Sequence, residues 1–436
     1  MIKAKNRMGL IFFPAYDWAI SPTHPEREER LLYTQDQLRE EGIFDIQGLV
    51  EYKPDIAREE DVLRTHFCFP DAAGVTTESH MISAGGAIKA ARLLLDGQVD
   101  KAFALVRPPG HHAMKSVHGN RGFCNINNEA IMIEYIRDHY STRRIAVVDT
   151  DCHHGDGTQD IYWNDPNVLY ISIHQDGRTL YPGSGHVSEC GGPTAAGRTV
   201  NIPLPPGTSD EGFLYAIDEM VLPILKHFKP EIIVNSAGQD NHYSDPITNM
   251  NFSAQGYAML NDRLDPDIAV LEGGYSIQGA LPYVNLGIIL AMAGIDYSHV
   301  REPDYDAAAV RQDKGIMDYV KRLKEAVLGV YFNPPTYEGL LPYRQYLTRR
   351  KNVFYDTDGI RETQLESIMR CGECTGVWSL ETSSTVYPLS LGIEIPVGAC
   401  TACEKEGGRL LDNAKKSGKY KTIQMIDRVK KEYYSR

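Results

Sequence analysis

The densest group of chemically active side chains in the sequence is the segment DTDCHHGDG, which runs from Asp149 to Gly157. The apolar run at 145–148 precedes it and predicts a buried strand. Because alternate residues of an extended chain share one face, Asp149, Asp151 and His153 would point the same way. Carboxylates and an imidazole at a strand end are typical ligands of a catalytic divalent metal. The segment therefore predicts a metal site.

Further polar side chains follow other predicted strands. They are His111 and His112 after a strand at 102–106, Asp240 after one at 232–236, and Tyr275 after one at 268–271. In open α/β sheets, ligands bind in the crevice at the carboxyl ends of the strands. Four strands from distant parts of the sequence would therefore deliver compatible polar groups to one crevice.

Three of these side chains, Asp151, His153 and Asp240, would leave room on a metal for water and substrate. This arrangement suits hydrolysis, in which the metal polarises a carbonyl and activates water. Two carboxylates reduce the net charge of a divalent ion more than neutral histidines would. A nearby general base is then needed to take the proton from water.

The adjacent imidazoles of His111 and His112 would supply that base. They cannot easily both be protonated, so their environments should separate their pKa values. Asp149 and Asp156 are the carboxylates available to orient them. Tyr275, after a Gly-Gly turn, could donate its phenol to an oxyanion.

The elements that position these groups are short apolar strands alternating with helices, such as those expected at 78–95 and 128–140. This alternation predicts an α/β fold with a parallel sheet covered on both faces. Hydrophobic residues at 42% and charged residues at 24% are ordinary for a globular protein. The formal net charge of −13 argues against a nucleic-acid-binding body but permits a cationic substrate. Neither a signal peptide nor a membrane span is evident, so a cytoplasmic protein is expected.

The C-terminal part has a different character. Cys371 and Cys374 form one CxxC pair, and Cys400 and Cys403 form another. In a reducing compartment they predict a four-thiolate structural zinc site, with rubredoxin-like iron or a redox pair as alternatives. The predicted division is a catalytic domain at 1–330, a linker wrapping the core at 331–370, and a zinc-ribbon-like module with a basic tail at 371–436. That tail could contact nucleic acid or an acidic partner, or simply be solvated.

Several motifs together resemble the zinc-dependent histone deacetylase family, which includes acetylpolyamine amidohydrolases and has the arginase–deacetylase fold. The motifs are RPPGHHA (107–113), GFCNINN (122–128), DTDCHHGDGT (149–158), YPGSG (181–185), SAGQDNHYSDP (236–246) and LEGGY (271–275). The resemblance spans roughly residues 9 to 330 and is closer to the class II and bacterial branch. It implies an eight-stranded parallel sheet flanked by helices.

The resemblance also implies roles for individual residues. The zinc ligands would be Asp151, His153 and Asp240. His112 with Asp156 would be the general base, His111 with Asp149 the second histidine, and Tyr275 the phenol that contacts the substrate carbonyl. Phe123 and Tyr181 would form the walls of a narrow tunnel, with Gly122 along it. A potassium ion would be bound by Asp149, Asp151, the His153 carbonyl, Ser172 and the Ile173 carbonyl. Asp71 is the candidate for the rim acid that holds a substrate backbone.

The expected activity is zinc-dependent hydrolysis of the amide of acetyl-lysine or an acetylpolyamine, giving a free amine and acetate. One alternative is a non-catalytic protein that binds acetylated ligands, and another is an arginase-like binuclear metallohydrolase. A homo-oligomer, or a protein partner that binds the C-terminal module, stays open.

Overall fold

The centre of the fold is an eight-stranded sheet in which all neighbouring strands are parallel. The computed structural model describes residues 2–15, 18–336 and 343–435. Its strands are β1 (Lys3–Phe13), β2 (Gln47–Tyr52), β3 (Phe67–Cys68), β4 (Lys101–Val106), β5 (Ser116–Val117), β6 (Ile145–Asp149), β7 (Val168–Gln175), β8 (Thr199–Leu204), β9 (Ile232–Ala237), β10 (Ile268–Leu271), β11 (Tyr346–Tyr355), β12 (Ile360–Met369), β13 (Trp378–Ser384), β14 (Ser390–Ile395), β15 (Ile423–Asp427) and β16 (Glu432–Ser435). The order in the large sheet is β2-β1-β4-β10-β9-β6-β7-β8.

Helices cover both faces of this sheet. They are α1 (Glu29–Glu40), α2 (Glu59–Leu63), α3 (Ala72–Val75), α4 (Glu78–Leu95), α5 (Asn128–His139), α6 (Asp156–Tyr162), α7 (Asp210–Ala216), α8 (Leu222–Phe228), α9 (Ala254–Leu264), α10 (Leu281–Ala293), α11 (Lys314–Phe332) and α12 (Thr401–Ser417). A 3₁₀ turn at Ile43–Asp45 and a π-helical turn at Ile217–Val221 complete them. Apolar residues of α4, α5 and α6 contact one face, and those of α1 and α7 to α11 contact the other.

The predicted fold class is confirmed. Strands β4, β6, β7 and β8 are buried along their whole length, as expected for parallel strands covered on both faces. Helix α4 has the bounds that the apolar spacing of the sequence predicts. No helix in the described part of the chain combines the length and the apolar character needed to cross a membrane.

The region expected to be a linker, 331–370, is different in the structure. Strands β11 and β12, each ten residues long, occupy half of it and pair antiparallel. They are the first two strands of a second sheet, which has the order β11-β12-β13-β14-β15-β16. Its neighbouring strands are antiparallel except for β14 and β15. The reason for the error is that only Val353 and Tyr355 of β11 are buried, and the polar run at 348–352 interrupts the apolar pattern of the strand. The zinc-ribbon-like module is therefore part of a larger unit that begins at Tyr346. The predicted boundary at 330 remains a prediction.

An apolar contact joins the second sheet to the catalytic body. Phe67 and Phe69, on and beside β3, lie in one buried cluster with Trp378 and Leu380 of β13. The rings of Phe67 and Trp378 stack with their centroids 5.8 Å apart.

Buried ion pairs surround this contact. Lys115 pairs with Glu394, and Arg428 pairs with both Glu394 and Glu134. Arg428, which belongs to the basic tail of the sequence, is thus buried in the joint between the two units.

Candidate active site

Four adjacent strands deliver the candidate residues to the carboxyl edge of the large sheet. In the order β4-β10-β9-β6, they are followed by the histidine pair, Tyr275, Asp240 and the Asp149–Asp156 segment, respectively. The crevice predicted from the sequence therefore forms, because these strands are neighbours in space although distant in the chain.

The candidate metal ligands converge below this edge. One ligand atom from each of Asp151, His153 and Asp240 lies within 4.8 Å of the other two. His153 Nδ1 is 2.8 Å from Asp240 Oδ2 and 3.3 Å from Asp151 Oδ1. Backbone amides orient both carboxylates: Gly273 N–H donates to Asp151 at 2.7 Å, and Cys152 N–H donates to Asp240 at 2.7 Å.

The electrostatics of this cluster fit a divalent cation. Burial lowers the pKa of His153, but the carboxylates of Asp240 and Asp151 outweigh burial and raise it to about 10. Two buried carboxylates thus create a negative potential that favours positive charge. One imidazole and two carboxylates are a donor set that suits zinc and similar ions.

The two histidines beside the cluster each face one carboxylate. His111 Nδ1 lies 3.1 Å from Asp149 Oδ2, and His112 Nδ1 lies 2.9 Å from Asp156 Oδ1. Their ring centroids are 4.1 Å apart. These are the pairings that the resemblance implies.

The environments of the two histidines separate their pKa values in opposite directions. Burial lowers the pKa of His111, but Asp151 and Asp149 outweigh it and raise that pKa well above its usual range. Burial and the neighbouring His111 lower the pKa of His112 to about 3. His112 is therefore the neutral member of the pair, with a lone pair available to accept a proton.

The segment at 149–157 packs tightly around the His111–Asp149 pair. Tyr170 donates its hydroxyl to Asp149 Oδ2 at 2.9 Å and to the Gly155 carbonyl at 2.8 Å. A Cβ at Gly155 would lie 2.1 Å from Asp149 Oδ2, so this position needs glycine. His154, which had no catalytic role in the sequence interpretation, instead hydrogen-bonds Ser184 and Gln159.

A cavity of about 280 Å³ opens above the metal cluster. Its lining includes the two histidines, Asp151, His153, Tyr275 and the expected tunnel residues Gly122, Phe123 and Tyr181; Pro109, Leu180, Ile247, Gly273 and Asp356 also contribute. Asp240 lies deeper, fully buried behind this surface.

The wall at Gly122 and Phe123 is a tight turn. Arg121 and Cys124 exchange both backbone hydrogen bonds, and φ is +52° at Gly122 and +68° at Phe123. Positive φ at both central residues defines a type I′ turn. A Cβ at Gly122 would lie 2.4 Å from the His112 ring, so the turn can approach the base only with glycine there.

Two site residues were not found from the sequence, and one expectation was wrong. Arg121 binds both oxygens of Asp156, at 2.7 and 2.6 Å. Asp356, from the turn after β11, lines the cavity. Asp71, the expected rim acid, instead caps α3 by accepting from Gly74 N–H at 2.8 Å, and it does not line the cavity. RPPGHHA and GFCNINN flank Arg121 but do not include it, and nothing local marks Asp356.

The residues expected to bind a monovalent cation lie where β6 and β7 run side by side. Asp149 and Ser172 are register partners. Ser172 Oγ is 2.9 Å from His174 Nδ1. The structure thus places Asp149, Ser172 and Ile173 on neighbouring strands, and Asp151 and His153 in the segment that follows β6.

The four C-terminal cysteines converge at a second site. The Sγ atoms of Cys371 and Cys400 are 3.7 Å apart, and those of Cys374 and Cys403 are 3.3 Å apart. Tetrahedral zinc with Zn–S bonds of about 2.3 Å requires sulfur atoms about 3.8 Å apart. Burial raises the pKa of Cys371, but the amides of Glu373 and Cys374 outweigh it and lower that pKa to about 7. The cluster therefore fits a thiolate-bound metal.

Comparison with known proteins agrees with this geometry. The sequence profile described as "Histone deacetylase domain" matches residues 72–285. A protein of Archaeoglobus fulgidus named "Probable deacetylase" is 48% identical over 325 residues, covering 68% of this chain and 89% of the relative. The "Histone deacetylase-like amidohydrolase" of Pseudomonas aeruginosa is 33% identical over 304 residues, covering 63% and 79%.

The crystal structure of the HDA15 HD domain has a similar fold. It superimposes with a TM-score of 0.63 at 24% identity, covering 74% of this chain and 96% of that domain. The names of the relatives support deacetylase activity in general terms, and thus a hydrolase. From the matched profile, the shared length and the common fold, the chain belongs to the histone deacetylase family of the arginase–deacetylase superfamily.

Proposed function

We propose that this protein is a zinc-dependent deacetylase that hydrolyses the amide of an N-acetylated amine, acetyl-lysine or an acetylpolyamine, to the free amine and acetate. One observation carries the proposal. A single cavity is lined by metal-ligand candidates, by a neutral histidine with an oriented carboxylate, and by a buried tyrosine. Amide hydrolysis needs these three functions in one place.

The metal would be held by Asp151, His153 and Asp240. When bound, zinc supplies Lewis-acid chemistry that makes a carbonyl more electrophilic and water more acidic. The metal-ligand clusters formed by the described residues are this group and the four cysteines. Only one of these two clusters lies in the crevice, which favours one ion there over the two ions of an arginase-like enzyme.

The protein's own residues would manage the protons and the developing charge. His112 Nε2 takes the proton from the attacking water, while Asp156 fixes the tautomer by accepting from Nδ1–H. The same nitrogen then returns the proton to the leaving amine, so that water and amide become acetate and amine. Tyr275 donates its phenol to the carbonyl oxygen as that oxygen gains negative charge.

Tyr275 is well placed to remain a donor. Burial and the carboxylates around it raise its pKa well above its usual range, although the Arg30 guanidinium, 5.0 Å from the ring centroid, acts in the opposite direction. The phenol therefore keeps its proton throughout the working pH range.

The shape of the cavity supports an unbranched substrate. Phe123 and Tyr181 line the cavity that reaches Asp151 and His153, and such aromatic walls suit an alkyl chain ending in an acetamide. A non-catalytic acetyl-binding protein would not need the oriented His112–Asp156 pair.

The remaining parts of the proposal concern the other ions and the compartment. A potassium ion at Asp149, Asp151, His153, Ser172 and Ile173 would stabilise the strand ends behind the zinc, and a structural zinc would occupy the four cysteines. All eight cysteines are free thiols, which fits a reducing compartment such as the cytoplasm.

The test is acetate release by zinc-loaded protein from a fluorogenic acetyl-lysine peptide and from monoacetylated diamines and polyamines. We expect turnover with at least one substrate, and its loss in His112→Ala. Metal-loaded, folded protein that released acetate from none of them would refute the proposal.

A further inference from the structure

A carboxylate from the second sheet lies at the mouth of the active-site cavity. Asp356 belongs to the turn between β11 and β12, more than two hundred residues from the metal-ligand segment, and yet it lines the cavity. Its Oδ1 accepts hydrogen bonds from the Gly122 amide at 3.0 Å and from the Tyr181 hydroxyl at 2.9 Å. It thus joins the two walls of the tunnel.

The turn that carries Asp356 is fixed to the catalytic body on both sides. The buried hydroxyl of Tyr355 lies within hydrogen-bonding distance of two acceptors, the Ser116 carbonyl at 2.9 Å and Glu362 at 2.8 Å. Asp358 accepts from the Asn120 amide at 2.6 Å. Because Tyr355 before it and Asp358 two residues after it are both anchored, the Asp356 carboxylate is held at a defined place.

Apolar packing supports the same turn. Met114 of the catalytic body forms a buried cluster with Val353 and Ile360, which flank the turn on β11 and β12. The position of Asp356 therefore depends on the docking of the whole second sheet.

The Asp356 carboxylate has capacity for another partner. Its residue is exposed, whereas the ionisable residues at the metal end of the cavity are buried. Within the described residues, Oδ1 accepts both of its hydrogen bonds and Oδ2 accepts none. One acceptor oxygen at the mouth is therefore available to a ligand.

No cation of the protein neutralises this carboxylate by direct contact in the described chain. Arg121 is the nearby cation, but its guanidinium binds both oxygens of Asp156 and lies over the Tyr181 ring, 5.5 Å from the centroid. The rest of the mouth is lined by uncharged side chains, including Leu180 and Ile247. Arg121 therefore acts on Asp356 only at longer range, and the carboxylate at the entrance has no paired cation among the described residues.

We propose that Asp356 binds a cationic nitrogen of the substrate at the cavity mouth, so that the preferred substrates are acetylated amines with a second positive charge beyond the alkyl chain. The inference rests on the proposed deacetylase function and assigns its substrate class as acetylated diamines and polyamines. The second sheet, in this account, supplies a substrate-binding residue to a site built by the large sheet.

The test compares monoacetylated α,ω-diamines with n-alkyl acetamides of the same chain length, which lack only the ammonium group. We expect the wild-type protein to prefer the diamine series by about tenfold in kcat/KM, mostly through KM, because a hydrogen bond between charged groups forms at the mouth. The preference should shrink as salt is added, since the carboxylate is exposed.

Asp356→Asn separates charge from position, because an amide oxygen can still accept from Gly122 and Tyr181. It should remove most of the preference by lowering kcat/KM for the diamines far more than for the alkyl acetamides. Glu432→Gln is the control: it removes an exposed carboxylate of the same sheet, on β16, and it should retain the preference because Glu432 does not line the cavity.

The outcomes distinguish a failure of the role of Asp356 from a failure of the proposed deacetylase function. Equal kcat/KM for charged and neutral substrates in the wild type would overturn the role of Asp356. Equal losses on both series in Asp356→Asn would also overturn it, because they would indicate that the residue only braces the tunnel walls. Wild-type protein that turned over neither series nor an acetyl-lysine peptide would instead remove the deacetylase function itself.

Discussion

His112 and Asp156 form a hydrogen-bonded pair, with Nδ1 2.9 Å from Oδ1, and the Asp156 carboxylate is also bound by Arg121 through both oxygens. Burial raises the pKa of Asp156, but Arg121 and His112 outweigh it and lower that pKa well below its usual range. The carboxylate therefore stays charged and holds the N–H of His112 on Nδ1.

Replacing this carboxylate should impair the base. In Asp156→Asn, the imidazole loses its charged acceptor, and we expect kcat to fall about 100-fold. Steady-state kinetics with the best acetylated substrate would measure this. Asp160→Asn, one turn later on α6, is the control: Asp160 pairs with Lys351 away from the cavity, so it should lower the melting temperature and spare kcat. Equal kcat losses in both variants would contradict the assignment.

Removing the phenol of Tyr275 should affect the reaction more than the binding of substrate. Tyr275→Phe keeps the ring against Phe123, 5.8 Å between centroids, but removes the donor to the oxyanion. We expect kcat to fall about 100- to 1,000-fold with a small change in KM, because the donor acts mainly in the transition state. Tyr243→Phe removes a hydroxyl that donates to the Asp304 carbonyl outside the cavity, and it should keep its activity. A purely higher KM in Tyr275→Phe would place the phenol in substrate binding instead.

Gly155 should tolerate no side chain. A Cβ there would meet Asp149 Oδ2 at 2.1 Å and Tyr170 Oη at 2.6 Å, so Gly155→Ala must push apart the buried pair that holds His111. We expect a loss of about 1–3 kcal/mol of unfolding free energy, as for other overpacked sites. Gly329→Ala on α11 meets no atom within 4 Å and should stabilise by about 0.5–1 kcal/mol. Urea unfolding of both variants would measure this difference in unfolding free energy. An unchanged unfolding free energy in Gly155→Ala would contradict the tight packing around Gly155.

The residues at the metal end of the site could be predicted because they lie in short sequence motifs that directly follow apolar strands. Asp151 and His153 are two residues apart in the bend that directly follows β6, and the apolar runs before the other motifs mark strands that must end at one edge of a parallel sheet. Helix α4 was likewise predicted because its apolar residues recur at helical spacing.

The mouth of the site could not be predicted in the same way. Asp356 lies in a short turn whose sequence, Asp-Thr-Asp-Gly, indicates a hairpin but not the surface it will contact. Asp71 was a plausible rim acid by type, yet its role is to cap a short helix. The second sheet was mistaken for a linker because the polar run at 348–352 interrupts the apolar pattern of β11, and pairing between strands leaves no local signature.

The joint between the second sheet and the catalytic body should weaken in acid. Burial raises the pKa of Glu394, but Lys115 and Arg428 outweigh it and lower it from 4.5 to about 2. A carboxyl with a lowered folded-state pKa stabilises the fold above pH 4.5, and this contribution is lost as the pH falls from 4.5 towards 2. The shift corresponds to about 3 kcal/mol.

Thermal melts against pH would test this joint. Glu394→Gln should destabilise strongly at pH 7, because it leaves Lys115 without its carboxylate partner and Arg428 with Glu134 alone, and less at pH 3. Glu432→Gln, at an exposed position on β16, should leave the profile unchanged. A destabilisation by Glu394→Gln that did not depend on pH would show that the charge of Glu394 does not stabilise the joint.

The four cysteines should hold a second metal that stabilises the module without joining the chemistry. Cys403 is fully buried at the start of α12, beside apolar residues of β14 and β15, so the metal would tie that helix to the sheet.

We expect two zinc ions per chain by elemental analysis, and one in Cys400→Ser, together with a lower melting temperature. Because the second sheet that packs on α12 also carries the Asp356 turn, this variant should also lose part of any preference for charged substrates. Cys190→Ser changes a single cysteine far from both clusters and should retain two ions. Iron in place of the second zinc, or two zinc ions retained in Cys400→Ser, would refute the structural-zinc assignment.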